Sequence, residues 1–238
     1  MNLANKVIVI TGAGSGLGKS IAIKVAALGA QVALIARTEG ELLSVQKEIR
    51  NKDGVAEYFV CDVSNRTEVE KTIKKVISAF KTIDILVNNA GIWTMNVMEE
   101  KDPDLRRRAL EINTLGPIQV TEEILPLFRK NNQGWIFNVI SSAAHIESDV
   151  AFSKVYAASK WGLEGYAKAL RDDLKNTKIV VSDFFPGGFD SMLYEKAKRS
   201  NPHNQPWMMK TDDVADIVLF MLTRPENMLI KQIVVGTI

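Results

Sequence analysis

The sequence has little cysteine and no long apolar run, and both absences narrow where the protein is expected to act. Cys61 is the only cysteine among 238 residues, so no disulfide bond can form within the chain. The first apolar run, Val7–Ile10, is far shorter than the roughly 20 residues that cross a bilayer. A glycine-rich segment follows it, where a signal peptide would carry its cleavage site. We therefore expect a cytoplasmic protein without a membrane partner.

The charges of the chain are balanced, and no charge of one sign dominates. There are 30 Lys and Arg against 28 Asp and Glu, which gives no electrostatic reason to expect nucleic acid as a partner. The densest basic run, Arg106-Arg107-Arg108, is typical of a solvated helix face. His145 and His203 are isolated and lack the spacing of zinc ligands, so no metal site is predicted.

Short β-branched runs alternate with longer amphipathic stretches along the chain. Several strand-like runs are apolar at consecutive positions, which indicates burial on both faces of a parallel sheet. The predicted strands are Lys6–Thr11, Gln31–Ala36, Ala56–Cys61, Ile83–Asn88, Gly134–Ile140, Ile179–Phe184 and Gln232–Val235. The predicted helices are Leu17–Leu28, Gly40–Asn51, Arg66–Phe80, Asp104–Lys130, Val155–Lys175 and Asp212–Leu222. This order predicts a single α/β domain, residues 1–238, with helices on both faces of a doubly wound, seven-stranded, mainly parallel sheet.

The segment Gly187–Pro206 has the weakest pattern, because Gly, Ser, Asn and Pro are frequent there and no periodicity is convincing. A loop of that length in a compact domain is usually functional or mobile. It follows the sixth predicted strand at the carboxyl edge of the sheet, where ligands bind in such folds. We therefore predict that residues 187–210 form a substrate lid.

A glycine-rich loop follows the first strand and opens directly into a helix. It reads Thr11-Gly12-Ala13-Gly14-Ser15-Gly16-Leu17-Gly18. Glycines let backbone N–H groups approach a pyrophosphate closely, and the helix N-terminus adds a favourable dipole. The pattern G-x-G-x-x-G fails at Leu17, and a P-loop ending in Gly18-Lys19-Ser20 would have Ala13 at its first glycine. A magnesium-dependent NTPase is therefore disfavoured.

The loop does match T-G-x-x-x-G-x-G, the glycine motif of the short-chain dehydrogenases/reductases. Other motifs of that family follow in the expected order over almost the whole chain. They are Asp62-Val63, Asn88-Asn89-Ala90-Gly91, Asn113, Ser142, Tyr156 with Lys160, and Pro186-Gly187. The chain thus resembles this family. The resemblance implies a Rossmann-like fold, NADP(H) as cofactor and a small-molecule carbonyl or alcohol as substrate.

The resemblance also implies which residues hold the cofactor and how the chain assembles. The cofactor residues would be Gly12, Gly14, Ser15, Gly16, Leu17, Gly18, Arg37, Asp62, Val63, Asn89, Ala90, Gly91, Tyr156, Lys160, Pro186, Gly187, Phe189 and Ser191. The assembly would be a homodimer or homotetramer in which the helices Asp104–Lys130 and Val155–Lys175 pack across a two-fold axis. The first of these helices carries more apolar residues than one stripe needs, among them Ile118, Val120, Ile124 and Leu127.

Tyr156 and Lys160 have the chemistry of an acid–base pair. They are four residues apart in a helical stretch and therefore share one face. A free phenol has a pKa near ~10, and a nearby ammonium lowers it toward the range that is useful at neutral pH. Ser142 follows a buried strand and can hydrogen-bond a carbonyl oxygen, with Ser141 as the alternative. By resemblance, Asn113 holds a water that links Lys160 to solvent.

The end of the second strand predicts NADPH in preference to NADH. An NAD-selective fold places an acidic residue there to accept a hydrogen bond from the ribose 2′-hydroxyl. This chain has Ala36 at that position, and Arg37 follows with donors that suit a phosphate. By resemblance, many NADPH-dependent relatives have a second basic residue where this chain has Ser15.

The predicted function is NADPH-dependent interconversion of a carbonyl and an alcohol. A 3-oxoacyl-acyl-carrier-protein reductase is a more specific form of the same chemistry. A catalytically silent NADP-binding regulator is the alternative from another class. It is disfavoured because a sensor needs no acid–base groups, whereas this chain has Asn113, Ser142, Tyr156 and Lys160 together.

Overall fold

The computed structural model describes residues 1–94, 102–145, 154–193, 205, 208–225 and 227–237. Within these ranges seven strands form one sheet, in the order β3-β2-β1-β4-β5-β6-β7. The strands are β1 Val7–Thr11, β2 Gln31–Ala36, β3 Val55–Val60, β4 Ile85–Asn88, β5 Gly134–Val139, β6 Ile179–Pro186 and β7 Gln232–Val235. Every neighbouring pair is parallel. The predicted doubly wound sheet is confirmed, with all seven strands parallel.

Helices connect the strands and cover both faces of the sheet. They are α1 Gly16–Ala27, α2 Glu39–Arg50, α3 Arg66–Phe80, α4 Pro103–Leu110, α5 Gly116–Asn131, α6 Lys154–Asp173 and α7 Thr211–Leu222. No helix in the described part of the chain is both long and apolar enough to cross a membrane.

Two apolar cores sandwich the sheet, and β1 contributes to both. Ile8 and Ile10 pack with α1, α2 and α7, whereas Val9 packs on the opposite face with α3, α5 and α6. All five residues of β1 are buried. This two-sided burial explains the continuous apolar runs of the sequence. The chain order reverses between β1 and β4, so the crevice where such folds bind ligands opens at the carboxyl ends of these two strands.

A π-helical turn, Glu111–Leu115, interrupts the predicted helix Asp104–Lys130 between α4 and α5. Pro117 explains the interruption, because a proline has no N–H to donate to the carbonyl of Asn113 four residues earlier. The backbone N–H of Gly116 instead reaches the carbonyl of Glu111, five residues back. The turn therefore falls on Asn113, where the family resemblance places an active-site asparagine.

A row of polar side chains crosses the interior of the sheet. Asn88, Asn138 and Asp183 are register partners on β4, β5 and β6. The Asn88 amide donates to Thr121 and to Asn138, both at 3.0 Å, and the Asn138 amide donates to Asp183 at 2.9 Å. Arg171 of α6 donates to the second oxygen of Asp183. Because these groups are buried, their mutual hydrogen bonds are needed to offset the loss of water.

Candidate active site

A cavity of about 590 Å³ opens at the carboxyl edge of the sheet. Every residue that the sequence predicted for the cofactor and the reaction lines this cavity, except Gly18 and Asn113. The motifs are separated along the chain, and the parallel sheet brings them together because each one lies in a connection that leaves the carboxyl end of a strand. The cavity is therefore the candidate active site.

The glycine loop at one side of the cavity has a backbone that other residues would strain. Gly12 has φ +68° and Gly16 has φ +52°, the left-handed region in which glycine carries no penalty. A Cβ atom on Gly12 would lie 2.9 Å from the Cα of Ala90. A Cβ atom on Gly18 would lie 2.3 Å from the carbonyl oxygen of Gly12, so Gly18 permits close packing behind the loop and does not face the cavity.

The N-terminus of α1 reaches the cavity through its first residues, Gly16 and Leu17. Ser15 precedes them in an extended conformation, and its side chain does not cap the helix. The first turn of α1 also contains no acidic residue. A pyrophosphate fits this position, because the backbone N–H groups of a helix N-terminus favour an anion.

Thr11 and Asn89 bind the glycine loop to the segment that follows β4. The Thr11 hydroxyl accepts from the backbone N–H groups of Asn89 and Ala90, both at 3.0 Å. The Asn89 amide donates to the carbonyl of Thr11 at 2.9 Å and to that of Gly12 at 3.4 Å. Asn89 was predicted as a cofactor residue; it lines the cavity, and its side-chain amide also fixes the loop.

Tyr156 and Lys160 are both buried on α6 and face the cavity. The Lys160 Nζ atom lies 5.8 Å from the centre of the Tyr156 ring. It also donates to the carbonyl of Val139, the last residue of β5, at 3.4 Å. Burial lowers the pKa of Lys160 to about 8 because the ammonium is taken out of water. At pH 7 the side chain is still mainly protonated and can stabilise a phenolate.

Asn113 lies behind the cavity and is fully buried. Its side-chain oxygen accepts from the Ile92 backbone N–H at 2.8 Å, and its amide donates to the Ile92 carbonyl at 2.9 Å and to Ser159 at 3.1 Å. The side chain thus holds the segment after β4 against α6, the helix of Tyr156 and Lys160. The predicted role of Asn113 in holding a water stays a prediction.

The two candidate serines have different surroundings at the end of β5. Ser141 is buried and caps a short 3₁₀ helix, Ser142–Ala144, by accepting from the Ala143 backbone N–H at 3.2 Å. Ser142 is half-buried and also lines the cavity. This arrangement favours Ser142 as the residue that meets a substrate, since the Ser141 oxygen is already an acceptor. The connection from residue 146 to 153 lies outside the described residues.

The end of β6 and the segment after it also line the cavity, through Pro186, Gly187, Phe189 and Ser191. The Gly187 backbone N–H donates to the carbonyl of Val235 at 2.7 Å, which joins the segment to β7. Most of the predicted lid falls outside the described residues, namely 194–204 and 206–207.

Three charged residues meet where the cavity passes the ends of β2 and β3. One oxygen of Asp62 lies 3.8 Å from Arg37 and 3.4 Å from Arg108. Burial acts to raise the pKa of Asp62. Hydrogen bonds from Ser64 and the two guanidiniums outweigh it and hold that pKa below its ordinary value. Asp62 is therefore ionised at neutral pH.

Sequence reasoning missed Arg108, because a run of three arginines predicted a solvated helix face. A signal was available in the neighbouring residues. Leu105, Arg108 and Ile112 follow helical spacing and all line the cavity. Glu41, at the start of α2, also lines the cavity and was missed as well.

Among the described residues, no group of three or more His, Cys, Asp or Glu side chains is placed to hold a metal ion.

Comparison with known proteins agrees with this geometry. A family model described as short chain dehydrogenase matches residues 6–202. The chain belongs to the short-chain dehydrogenase family. Membership makes it an oxidoreductase, and its Rossmann-like fold is the fold of the solved relatives.

Relatives of this short-chain dehydrogenase match it over nearly the full length. The NADP-dependent 3-hydroxy acid dehydrogenase of Schizosaccharomyces pombe is 32% identical over 243 residues, covering 98% of this chain and 93% of the relative. An uncharacterised oxidoreductase of Staphylococcus saprophyticus is 30% identical over 241 residues, covering 99% and 98%. A solved structure, the crystal structure of a metagenomic short-chain oxidoreductase in complex with NADP, matches with 30% sequence identity and a TM-score of 0.83. The match covers 99% of this chain and 98% of the metagenomic protein.

Proposed function

We propose that this short-chain dehydrogenase interconverts a small-molecule carbonyl and an alcohol with NADP(H). The observation that carries the proposal is that the Tyr156–Lys160 pair faces the same cavity as the glycine loop and the N-terminus of α1. An acid–base pair beside a pyrophosphate-binding loop is the arrangement that hydride transfer to a carbonyl requires. A solved relative in complex with NADP and a relative named as NADP-dependent, both of similar length, support the choice of cofactor.

A bound nicotinamide cofactor supplies the hydride, and the residues of this chain supply proton transfer and orientation. Tyr156 donates its phenolic proton to the carbonyl oxygen as negative charge develops there. The Lys160 ammonium, 5.8 Å from the ring centre, stabilises the phenolate that remains. Ser142 donates a hydrogen bond to the same oxygen and fixes its position. In the alcohol-oxidising direction the phenolate accepts the proton again.

The proposed reaction is tested by following NADPH oxidation over a panel of ketones, diketones, quinones and acyl thioesters. Turnover of at least one carbonyl is expected. Selective turnover of acyl thioesters would identify a 3-oxoacyl reductase. NADPH binding without turnover of any compound would instead support the silent regulator.

We expect the enzyme to prefer NADPH, because Ala36 carries no carboxylate to repel a 2′-phosphate and Arg37 follows it at the cavity. A charge-assisted hydrogen bond contributes about 1.5–3 kcal/mol. The double variant Ala36→Asp/Arg37→Leu should therefore lose at least about tenfold in its preference for NADPH. The measurement is the ratio of kcat/KM for NADPH and NADH in both proteins. A wild-type enzyme that prefers NADH would contradict the assignment.

We also propose a homo-oligomer that forms through α5 and α6. The sequence placed Val120 and Ile124 among the apolar residues available for this contact. That was wrong, because both are buried in the core of the single chain. The exposed large hydrophobic side chains on these helices and the turn between α4 and α5 are Leu115 and Trp161. Light scattering at micromolar concentration should give a multiple of the 26.4 kDa chain mass, and Trp161→Glu should shift it toward the monomer. A monomeric wild-type mass would refute the proposal.

A further inference from the structure

The adenosine end of the cavity, where β2 and β3 end, carries an arginine that no motif of the sequence predicted. Arg108 reaches it from α4, whereas Arg37 reaches it from the end of β2. Both guanidiniums approach the same oxygen of Asp62, at 3.4 and 3.8 Å. The other oxygen of Asp62 accepts two hydrogen bonds from Ser64, which fix the carboxylate. Asp62 thus orients two cationic side chains from different elements toward one point.

The charge balance at this end shows why the second arginine matters. Two carboxylates line it, Asp62 and Glu41. Glu41 lies beside the glycine loop, since a Cβ atom on Gly14 would be 2.9 Å from its carboxylate oxygen. Arg37 alone would leave the site with a net negative charge, which repels a phosphate dianion. Arg108 restores neutrality and adds a second set of planar donors.

Arg107, the residue before Arg108 on α4, has different partners, which shows that the contact with the cavity is specific to Arg108. Arg107 pairs with Asp104 at 3.0 Å and with Glu111 at 3.7 Å along the outer surface of α4. Its side chain is 69% exposed, against 47% for Arg108. Of these two arginines, only Arg108 lines the cavity, together with Leu105 on the same helix face.

We infer that Arg108 is a cofactor-binding residue that, with Arg37, holds the 2′-phosphate of the adenosine and so determines specificity for NADP(H). The two guanidiniums come from different elements and lie within 4 Å of the same Asp62 oxygen, so a phosphate beside that oxygen would meet donors from both. Arg108 thereby provides the second basic group that is absent at Ser15. This inference rests on the proposed function, because it assumes that the cavity binds a nicotinamide dinucleotide.

The test measures binding of two cofactor fragments that differ only in the 2′-phosphate, adenosine 2′,5′-bisphosphate and adenosine 5′-monophosphate, by calorimetry. It needs no turnover and therefore no known substrate. In the wild type the 2′-phosphorylated fragment should bind more tightly. Arg108→Gln should weaken binding of that fragment by about tenfold or more, since a charge-assisted contact is lost, and should change binding of adenosine 5′-monophosphate by less than about threefold. Arg107→Gln is the matched control and should change neither affinity.

The possible outcomes separate this inference from the proposed function. If Arg108→Gln leaves the affinity for the 2′-phosphorylated fragment unchanged, or if Arg107→Gln lowers it equally, Arg108 makes no specific contact and the inference is overturned while the function stands. If the wild type binds both fragments equally, the NADP preference fails and the inference fails with it. Weaker binding of both fragments to Arg108→Gln alone would show a structural role and would also overturn the inference.

Discussion

Replacement of Tyr156 by phenylalanine is expected to lower kcat by a factor of about 10²–10⁴, the range that general acid–base catalysis contributes. The variant removes only the phenolic oxygen and its proton, and it keeps the ring that Lys160 faces at 5.8 Å. Binding of NADPH, measured by fluorescence titration, should therefore stay close to that of the wild type. The loss should appear in kcat and in kcat/KM alike, because the interaction is made in the transition state.

Tyr166→Phe provides a matched control on the same helix. The Tyr166 hydroxyl donates to Glu122 of α5 at 2.6 Å, and Tyr166 does not line the cavity. Its loss should leave kcat within about twofold of the wild type. Near-normal turnover in Tyr156→Phe would show that Tyr156 is not the general acid. An equal loss in both variants would indicate a general effect on α6.

Replacement of Asp183 by alanine should destabilise the fold by about 3–5 kcal/mol, the cost of breaking a buried ion pair on one side. Asp183 is 0% exposed and accepts from both Arg171 and Asn138. Its removal leaves a guanidinium and an amide without their acceptor inside the protein. Urea or guanidinium unfolding, followed by circular dichroism, measures the change in the free energy of unfolding.

A second ion pair of the same length isolates the effect of burial. Arg129 and Asp173 are also 2.5 Å apart, but the Asp173 side chain is 55% exposed. Asp173→Ala should cost only about 0.2–1 kcal/mol, because water already screens this pair. If Asp183→Ala lowers the free energy of unfolding no more than Asp173→Ala does, the polar row across the sheet does not contribute to stability.

The sheet and the position of the site could be predicted from the sequence because both depend on local patterns. A strand buried on both faces is expected to be apolar at consecutive positions, as Val7–Ile10 is. The carboxyl ends of parallel strands share one edge, so motifs that follow different strands meet there. These rules bring the glycine loop, Tyr156 and Lys160 together before any coordinates are available.

The remaining features depend on contacts that a linear pattern does not contain. Helical spacing puts Arg108 on one face with Leu105 and Ile112, but whether that face meets the cavity depends on how α4 is rotated in the fold. The π-helical turn after α4 also changes the helical phase between Arg108 and α5. The packing role of Gly18 depends on how closely α1 approaches the carbonyl of Gly12. The three hydrogen bonds of Asn113 involve Ile92 and Ser159, which no motif includes.

The burial of Lys160 serves the proposed reaction but lowers the free energy of unfolding at neutral pH. The folded protein lowers the pKa of this lysine from 10.5 to about 8, so the unfolded chain binds the proton more readily between these two values. The free energy of unfolding therefore rises as the pH increases through that window, and below pH 8 the fold bears the full penalty of a buried ammonium. An apolar residue at this position would relieve that penalty at neutral pH while removing the partner of Tyr156. A stabilising substitution at this residue would thus remove the chemistry, so the lysine is expected to persist only where the reaction is needed.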